Sequence, residues 1–153
     1  MSSTLKDTLH ADLTTAMKSR DTVRVATLRM ALTAVTNAEV AGTEVVELAD
    51  DDVLKVLAKE AKKRKEASTA YADAKRPELA AREEAELEVL EAYLPAQLGD
   101  DELESLVRQA IATSGATGMP QMGAAMKAAQ PLVAGRADGG RVSAVVRRLL
   151  ASG

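Results

Sequence analysis

The chain has 153 residues, enough for one domain or two small ones that bury a real core. It has no cysteine and one histidine, which excludes disulfides, thiolate nucleophiles and most catalytic triads or zinc sites. The formal charge of −3 is uneven, because residues 1–98 carry 14 basic against 18 acidic side chains and residues 99–153 carry six against five.

The composition predicts an all-α protein. Alanine, leucine, glutamate, lysine and arginine dominate the chain, whereas aromatic residues make up 1% of it. No apolar run approaches the roughly 20 residues that span a bilayer. The amino terminus also lacks the charged-then-apolar order of a signal peptide, so we expect a cytoplasmic protein without a membrane segment.

Apolar residues at helical spacing predict four helices in the first part of the chain. His10 follows Leu9 on the first of them, and with no second histidine or cysteine it is interpreted as a surface or boundary residue rather than a ligand. In chain order, the predicted helices are residues 4–19, a second from the N-cap Asp21 to near Gly42, a third from Asp50 to about Ala74, and a fourth from Pro77 onward.

The segment from Tyr93 to Leu98 divides the chain. Pro95 has no backbone N–H and disfavours a helical conformation in the residue before it, so the fourth helix should end there. The flanking residues are nevertheless apolar, which predicts a packed elbow rather than a solvated linker. We therefore expect an amino-terminal helical domain over residues 1–94 and a carboxy-terminal domain over residues 95–153.

The second domain is predicted to be a three-helix tail of small residues. Its basic side chains outnumber its acids from Gly115 onward, where Asp138 is the single acid. The basic residues there are Lys127, Arg136, Arg141, Arg147 and Arg148. The predicted helices run from the N-cap Gly99 to before Gly115, from Pro120 to an end at Pro131, and from a cap at Asp138 through Val142 and Leu150, with Arg141 and Arg148 exposed.

Arg64 has two possible roles, because it falls on the apolar side of the third helix. In the structural interpretation it pairs with Glu60, or with Glu83 or Glu86 of the fourth helix. In the functional interpretation it contacts a phosphate at the edge of a module. The structural interpretation is favoured, since near-buried charges are usually paired.

No catalytic constellation is recognisable in the sequence. Gly139 and Gly140 are not followed by a Gly-Lys-Ser/Thr sequence and no strand precedes them, so they do not form a P-loop. Glu83 and Glu86 have the spacing of an acid/base pair, but no nucleophile accompanies them. We expect no catalytic residue, metal or cofactor in this chain, and an enzyme acting by itself is not predicted.

A series of short motifs runs through the chain in order. They are Lys62 and Arg64 with Tyr71, then Glu86-Leu87, Leu90-Glu91, Tyr93-Leu94-Pro95 and Gln97-Leu98, then Met122-Gly123 with Met126, Pro131, Val133 and the turn from Gly135 to Gly139. This series resembles the GatB/YqeY family of small helical proteins over nearly the whole chain. The resemblance implies two all-α parts, a helical domain and a three-helix tail.

The resemblance also carries functional implications. The tail is similar to one appended to the B subunit of the tRNA-dependent amidotransferase, which converts misacylated Glu-tRNA or Asp-tRNA to the amide with glutamine as donor. Similar modules accompany some glutaminyl-tRNA synthetases, where the tail is thought to hold tRNA while another domain does the chemistry. Membership therefore implies an association with glutamine-dependent carbon–nitrogen ligation, without a catalytic site in this chain.

Candidate nucleic-acid contacts follow from positions that match the family motifs, together with the basic residues beside them. They are Lys62, Arg64, Gly123, Lys127, Arg136, Asp138, Gly139, Arg141 and Arg148. The chain departs from the pattern where Ala124, Leu132 and Ala134 replace frequent lysines and Gln121 replaces a frequent acid. Fewer cations release fewer counterions, so we expect weak binding with a shallow salt dependence.

Three hypotheses for the function follow from these observations. The leading one is an accessory module that binds the tRNA backbone by shape and charge, since no aromatic platform is present to stack bases. The second is a protein–protein adaptor that docks on a synthetase or amidotransferase without touching RNA. The third is an amidotransferase subunit in its own right. A tail that only packs on its own chain or on a protein partner is the structural alternative to all RNA contacts.

Overall fold

Seven α-helices and one 3-10 turn build residues 3–152, the part of the chain that this computed structural model describes. The helices are α1 Leu5–Ser19, α2 Thr22–Glu39, α3 Asp50–Asp73, α4 Pro77–Glu91, α5 Asp100–Ser114, α6 Met122–Val133 and α7 Gly139–Ser152, with the 3-10 turn Met119–Gln121 directly before α6. No strand occurs in this range, so the all-α prediction is confirmed. None of these helices is both long and apolar enough to cross a bilayer.

The chain folds into two compact units, Met1–Leu94 and Pro95–Gly153. Unit 1 contains α1 to α4 and unit 2 contains α5 to α7. Each unit has a separate cluster of buried apolar side chains. The first residue of unit 2 is a proline, which cannot donate the backbone hydrogen bond that would continue a helix.

Local signals start the helices of unit 1 where the sequence predicts. Thr4 and Asp7 form a capping box at α1, and the Asp21 side chain accepts from the Arg24 N–H at 3.1 Å to cap α2. Pro77 occupies the first turn of α4. Behind these caps the helices bury a leucine- and valine-rich core, whose fully buried members are Leu9, Leu28, Val35, Val53, Leu57 and Leu90.

The α2 helix ends earlier than the prediction of an end near Gly42. Its last residue is Glu39, whose carbonyl oxygen accepts from the Val46 N–H at 3.0 Å. The Glu39 carboxylate accepts from the Leu48 N–H at 3.1 Å. The helix therefore ends at Glu39, because the carbonyl and the carboxylate of this residue both accept hydrogen bonds from the following loop.

Tyr93 closes unit 1 at the end of the fourth helix. The ring packs against the core of unit 1, and the hydroxyl donates a hydrogen bond to Asp12 Oδ2 on α1. Burial, together with the carboxylate of Asp12, raises the pKa of Tyr93 to about 12. The apolar residues Tyr93 and Leu94, which follow α4, thus pack against the core of unit 1.

Unit 2 is a three-helix bundle in which each helix packs against the other two. Gly99 is the N-cap of α5, as predicted, and Gly115 ends that helix with φ 72°. Small residues on α6 let the helices approach closely, because Ala125 and Ala129 are both completely buried. The remaining core residues are Leu98, Leu103, Val107, Ala110, Ala116, Val133, Val142, Val146, Leu149 and Leu150.

The predicted limits of the middle tail helix were wrong at both ends. Pro120 lies in a 3-10 turn, and α6 begins only at Met122. Pro131 does not end the helix, which continues to Val133. A proline in the last turn costs a single backbone hydrogen bond, and the Ala134 N–H still reaches the Gln130 carbonyl at 2.9 Å. Ala134, in the left-handed conformation, is the residue that ends α6.

Candidate functional site

The candidate nucleic-acid contacts divide between the two units. Lys62 and Arg64 lie on α3 in unit 1, and Lys62 is exposed. The others lie on α6, on the turn after it and on α7 in unit 2, and they are Gly123, Lys127, Arg136, Asp138, Gly139, Arg141 and Arg148.

Arg64 is buried inside unit 1, with 5% of its surface exposed. Its Nη1 donates to the Glu60 carbonyl at 3.1 Å and lies 3.5 Å from Glu60 Oε1. Its Nε lies 3.7 Å from Glu86 Oε2, which is an ion-pair distance but too long for a hydrogen bond, and Nη2 donates to the Met30 sulfur at 3.5 Å. The guanidinium is therefore engaged within unit 1, as the structural interpretation predicts.

Arg136 holds the chain that enters unit 2. Its Nε donates to the Ala96 carbonyl at 3.4 Å, and its Nη2 lies 3.8 Å from Glu102 Oε2. Its own carbonyl accepts from the Leu98 N–H at 2.7 Å. Since the side chain remains 40% exposed, Arg136 combines an internal role with an accessible guanidinium.

Arg141 makes a similar connection from the first turn of α7. A single nitrogen, Nη2, donates both to the Leu98 carbonyl and to Asp100 Oδ1, each at 3.0 Å. The Asp100 side chain is almost fully exposed, and 37% of the Arg141 side chain is exposed. Arg141 is thus only partly exposed, because it contacts Leu98 and the first residue of α5.

Glu104 joins two arginines on different helices. Its Oε1 accepts from Arg148 Nη2 of α7 at 3.1 Å and from Arg108 Nη2 of α5 at 3.2 Å. The hydrogen bond from Arg148, followed by the charges of both arginines, lowers the pKa of Glu104 below its ordinary value. This three-residue cluster fastens α7 to α5 and leaves both guanidinium groups largely exposed.

Lys127 and Arg147 are exposed cations that form no ion pair with any other residue in the range 3–152. Arg147 was counted among the basic residues but not chosen as a candidate contact. A helical residue advances about 100° around the axis, which places Arg147 well away from the buried Val142 and Leu149. Helical geometry alone was therefore sufficient to identify Arg147 as an exposed cation of α7.

The two candidate glycines have open surroundings. Gly139 is the first residue of α7 and Gly123 the second residue of α6. A Cβ atom added at either position would meet nothing within 4 Å. Neither glycine is required by internal packing, and both residues are exposed.

A known protein family matches the chain well beyond the motifs, which run from Lys62 to Gly139. The family model described as Yqey-like protein matches residues 6–150, which is nearly the whole chain and includes both units. The chain belongs to the YqeY-like protein family. A search of the curated proteins finds no match to it.

Helix α7 of this YqeY-like chain has a net positive charge. That helix contains Arg141, Arg147 and Arg148 and no acidic residue. The acids that neutralise it belong to the first turns of α5, where Asp100 and Glu104 pair with Arg141 and Arg148. Exposed ion pairs are worth about 1 kcal/mol or less, and a guanidinium has five N–H donors, so an anionic ligand can share or replace these partners.

Metal-binding geometry is not found in residues 3–152, where no group of three or more histidine, aspartate or glutamate residues is placed to hold an ion. His10 is exposed on α1. A shallow depression of about 400 Å³ lies along α3, and none of the candidate contacts lines it. Its lining residues are Lys65, Glu66, Thr69, Ala70 and Asp73.

Proposed function

We propose that this YqeY-like protein is an accessory tRNA-binding protein, and that unit 2 contacts the RNA backbone. The observation that carries the proposal is the α7 surface, where Arg141, Arg147 and Arg148 stand without any acid on their own helix. All three side chains are at least one-third exposed. Arg136, in the turn before α7, adds a fourth accessible guanidinium.

Contact with phosphates rather than bases fits the chemistry of unit 2. Both tyrosines of the chain, Tyr71 and Tyr93, belong to unit 1, and there is no phenylalanine or tryptophan. Unit 2 therefore has no aromatic ring on which a base could stack. Guanidinium groups instead suit phosphate oxygens.

The proposed binding is weak and depends on salt. Unit 2 has a net charge of only about +1, and α5 acids already pair with Arg136, Arg141 and Arg148. A phosphate must compete with these carboxylates for the same nitrogens. Because each released counterion steepens the salt dependence, few net contacts mean a shallow slope.

The association with glutamine-dependent carbon–nitrogen ligation belongs to this proposal and rests on the resemblance of the tail to that of the amidotransferase B subunit. The role proposed for the chain is to hold tRNA beside an amidotransferase or an aminoacyl-tRNA synthetase. No catalytic step is assigned to any residue of this chain.

A filter-binding titration with bulk tRNA at several salt concentrations tests the proposal. We expect the triple variant Arg136→Gln, Arg141→Gln, Arg148→Gln to bind more weakly than the wild type. Its log–log salt slope should fall by about 0.7–0.9 for each phosphate that the variant no longer neutralises. Equal affinities and slopes for the two proteins contradict the proposal, provided that circular dichroism shows both to be folded.

A single-residue comparison separates a specific surface from general charge. Arg147→Gln removes an unpaired cation from α7, whereas Arg108→Gln removes an exposed cation from α5, where it is paired with Glu104. We expect the first variant to weaken tRNA binding several-fold more than the second. Identical losses of affinity would assign the effect to net charge alone.

The ion pairs of α5 provide a test with the opposite sign. Asp100→Asn and Glu104→Gln together remove the carboxylates that hold Arg141 and Arg148. We expect tighter tRNA binding and a steeper salt slope, because both guanidinium groups are released and repulsion of phosphate is reduced. Unchanged or weaker binding by a folded double variant contradicts the assignment of these arginines.

A second candidate function, a protein–protein adaptor without RNA contact, is favoured by the surface of unit 1. This unit carries 14 basic against 18 acidic residues, so it does not attract RNA as a whole. Six of the seven large apolar side chains exposed in residues 3–152 belong to it, namely Met17, Val23, Met30, Val40, Val45 and Val46. Affinity purification from nuclease-treated extract tests this function, and recovery of partners only when RNA is intact argues against it.

A further inference from the structure

The loop between α2 and α3 exposes an unusual amount of apolar surface. We define residues 40–49 as the valine loop. The exposed fractions of Val40, Val45 and Val46 are 50%, 78% and 51%. Three exposed valines within seven residues present apolar surface that would be more stable if it were covered.

The valine loop is anchored to unit 1 through Val46 and Leu48. Glu39 is buried, and its carbonyl and carboxylate accept from the N–H groups of Val46 and Leu48 at 3.0 and 3.1 Å. The same carboxylate pairs with Lys6 Nζ of α1 at 2.8 Å. Leu48 turns inward and packs against the core of unit 1. The valines are thus presented outward by a loop whose backbone is held in place.

The end of the loop is held by a second contact. Asp50, the first residue of α3, accepts a hydrogen bond from the Leu5 N–H at 2.9 Å. This contact connects the beginnings of α1 and α3. Together with Glu39, it fixes both ends of the valine loop on the same unit.

Acidic residues flank the exposed valines along the chain. Residues 30–54 contain six acidic side chains and no lysine or arginine. Glu44 and Glu47 lie within the valine loop, and Asp51 and Asp52 follow it on the first turn of α3, all of them exposed. Such a patch repels a nucleic acid and attracts a cationic surface.

We propose that the valine loop is a docking site for a protein partner that presents apolar side chains bordered by lysine or arginine, in its simplest form a basic amphipathic helix. Val40, Val45 and Val46 supply the apolar contact, and Glu44, Glu47, Asp51 and Asp52 supply the complementary charge. The inference deepens the adaptor function for unit 1 and does not depend on tRNA binding by unit 2.

The probe is a synthetic amphipathic helix of about 14 residues with leucine on one face and lysine on the other, added to the full-length chain labelled at its methyl groups. We expect the largest NMR shifts at the methyls of Val40, Val45 and Val46. A peptide with glutamate in place of lysine should cause no shifts, because Glu44, Glu47, Asp51 and Asp52 repel its negative charge. Shifts that lie mainly elsewhere in the chain overturn the proposal.

Three variants distinguish docking from unspecific attraction of charge. Val45→Ser with Val46→Ser removes the apolar contact and keeps every carboxylate, and we expect about a tenfold loss of peptide affinity. Glu44→Gln with Glu47→Gln should cause a loss of similar size that is greatest at low salt. Val23→Ser, a matched change at an exposed valine on α2, should leave the affinity unchanged.

The outcomes separate this proposal from the one for tRNA. Peptide binding that survives the Val45→Ser, Val46→Ser change contradicts docking by the valine loop. So does a shift of the same valine methyls by tRNA, which would assign the loop to nucleic acid. The Arg147→Gln variant should bind the peptide as the wild type does, since the proposed tRNA contact lies in unit 2.

Discussion

Arg64 shows how surroundings decide the role of a single charge. The side chain lies among elements of unit 1, with Glu60 on its own helix and Glu86 on α4 both within 4 Å. A buried guanidinium is costly unless carboxylates and hydrogen bonds compensate it, and here Nε still lacks a hydrogen-bond partner. The charge therefore joins α3 to α4, and its removal would leave two largely buried carboxylates without their shared cation.

Arg64→Met should lower the free energy of unfolding by about 3–5 kcal/mol, because it leaves the largely buried Glu86 carboxylate without its ion-pair partner. Lys63→Met is the matched control, since Lys63 Nζ pairs with Glu60 Oε2 at 3.0 Å but the lysine side chain is mostly exposed. That change should cost less than about 1 kcal/mol. Urea unfolding measures both, and equal losses of stability would contradict a special role for Arg64.

Glu39 and Lys6 illustrate a pair whose strength depends on pH. The hydrogen bond from Lys6, followed by that from the Leu48 N–H, lowers the pKa of Glu39 below its ordinary value of 4.5. The same contact raises the pKa of Lys6 above 10.5. A lowered carboxyl pKa stabilises the fold above pH 4.5 and this contribution is lost on acidification, whereas a raised lysine pKa stabilises it below pH 10.5 and is lost on alkalinisation.

Glu39→Gln should therefore lower the melting temperature at pH 7 and have less effect in acid, where the wild-type carboxylate becomes protonated and its pairing is already lost. Glu44→Gln, in the same loop but exposed and without an ion pair in the described residues, is the control. Calorimetric melts of the three proteins from pH 7 to below pH 4 measure the effect. A difference between wild type and Glu39→Gln that grows on acidification would contradict this assignment.

At the scale of an element, the end of α6 is set by backbone conformation rather than by proline. Ala134 has φ 49° and ψ 44°, the left-handed conformation in which a Cβ atom is unfavourable and glycine is preferred. The next residue, Gly135, also has a positive φ of 75°. The helix therefore stops at a position whose backbone conformation favours glycine over alanine.

Ala134→Gly should stabilise the protein by about 0.5–1 kcal/mol, since it removes the strain of a Cβ atom in the left-handed region. Ala124→Gly places the same change on an exposed helical position of α6 and should destabilise by up to about 1 kcal/mol. Thermal or urea unfolding measures the two variants. The expectation fails if both changes have the same sign.

At the scale of the whole molecule, the two units have separate cores and separate chemistry. Unit 1 is acidic and carries the valine loop, and unit 2 carries the arginines of α7. The unit 2 core is built from α5, α6 and α7 together with Leu98 and Ala116. Its helices therefore have partners within the unit for their apolar faces.

The fragment from Pro95 to Gly153 should fold without unit 1, since domains of about 55–65 residues can fold alone when they bury a core of their own. We expect helical circular dichroism and a cooperative thermal transition. A variant fragment with Val107→Asp, which places a charge in the core, should lose both. A helical but non-cooperative wild-type fragment would show that unit 2 depends on unit 1.

Much of the fold could be predicted because helices are specified by neighbouring residues. The caps Asp21, Pro77 and Gly99 act within one turn of their own helices. Apolar spacing along a helix likewise identified most of the core residues. The end of α2 and the position of Pro131 were missed, because the first depends on a loop held by Glu39 and the second on the conformation of Ala134.

The candidate site was predicted less completely. The sequence by itself determined the helical class, the basic α7 and the motifs shared with the YqeY-like family. Only the tertiary structure decided that Arg64 pairs with Glu86 rather than Glu83, and that Arg141 and Arg148 meet acids of α5. The physical reason is range: caps and periodicity act over a few residues, whereas ion pairs depend on which side chains the packed helices bring within 4 Å.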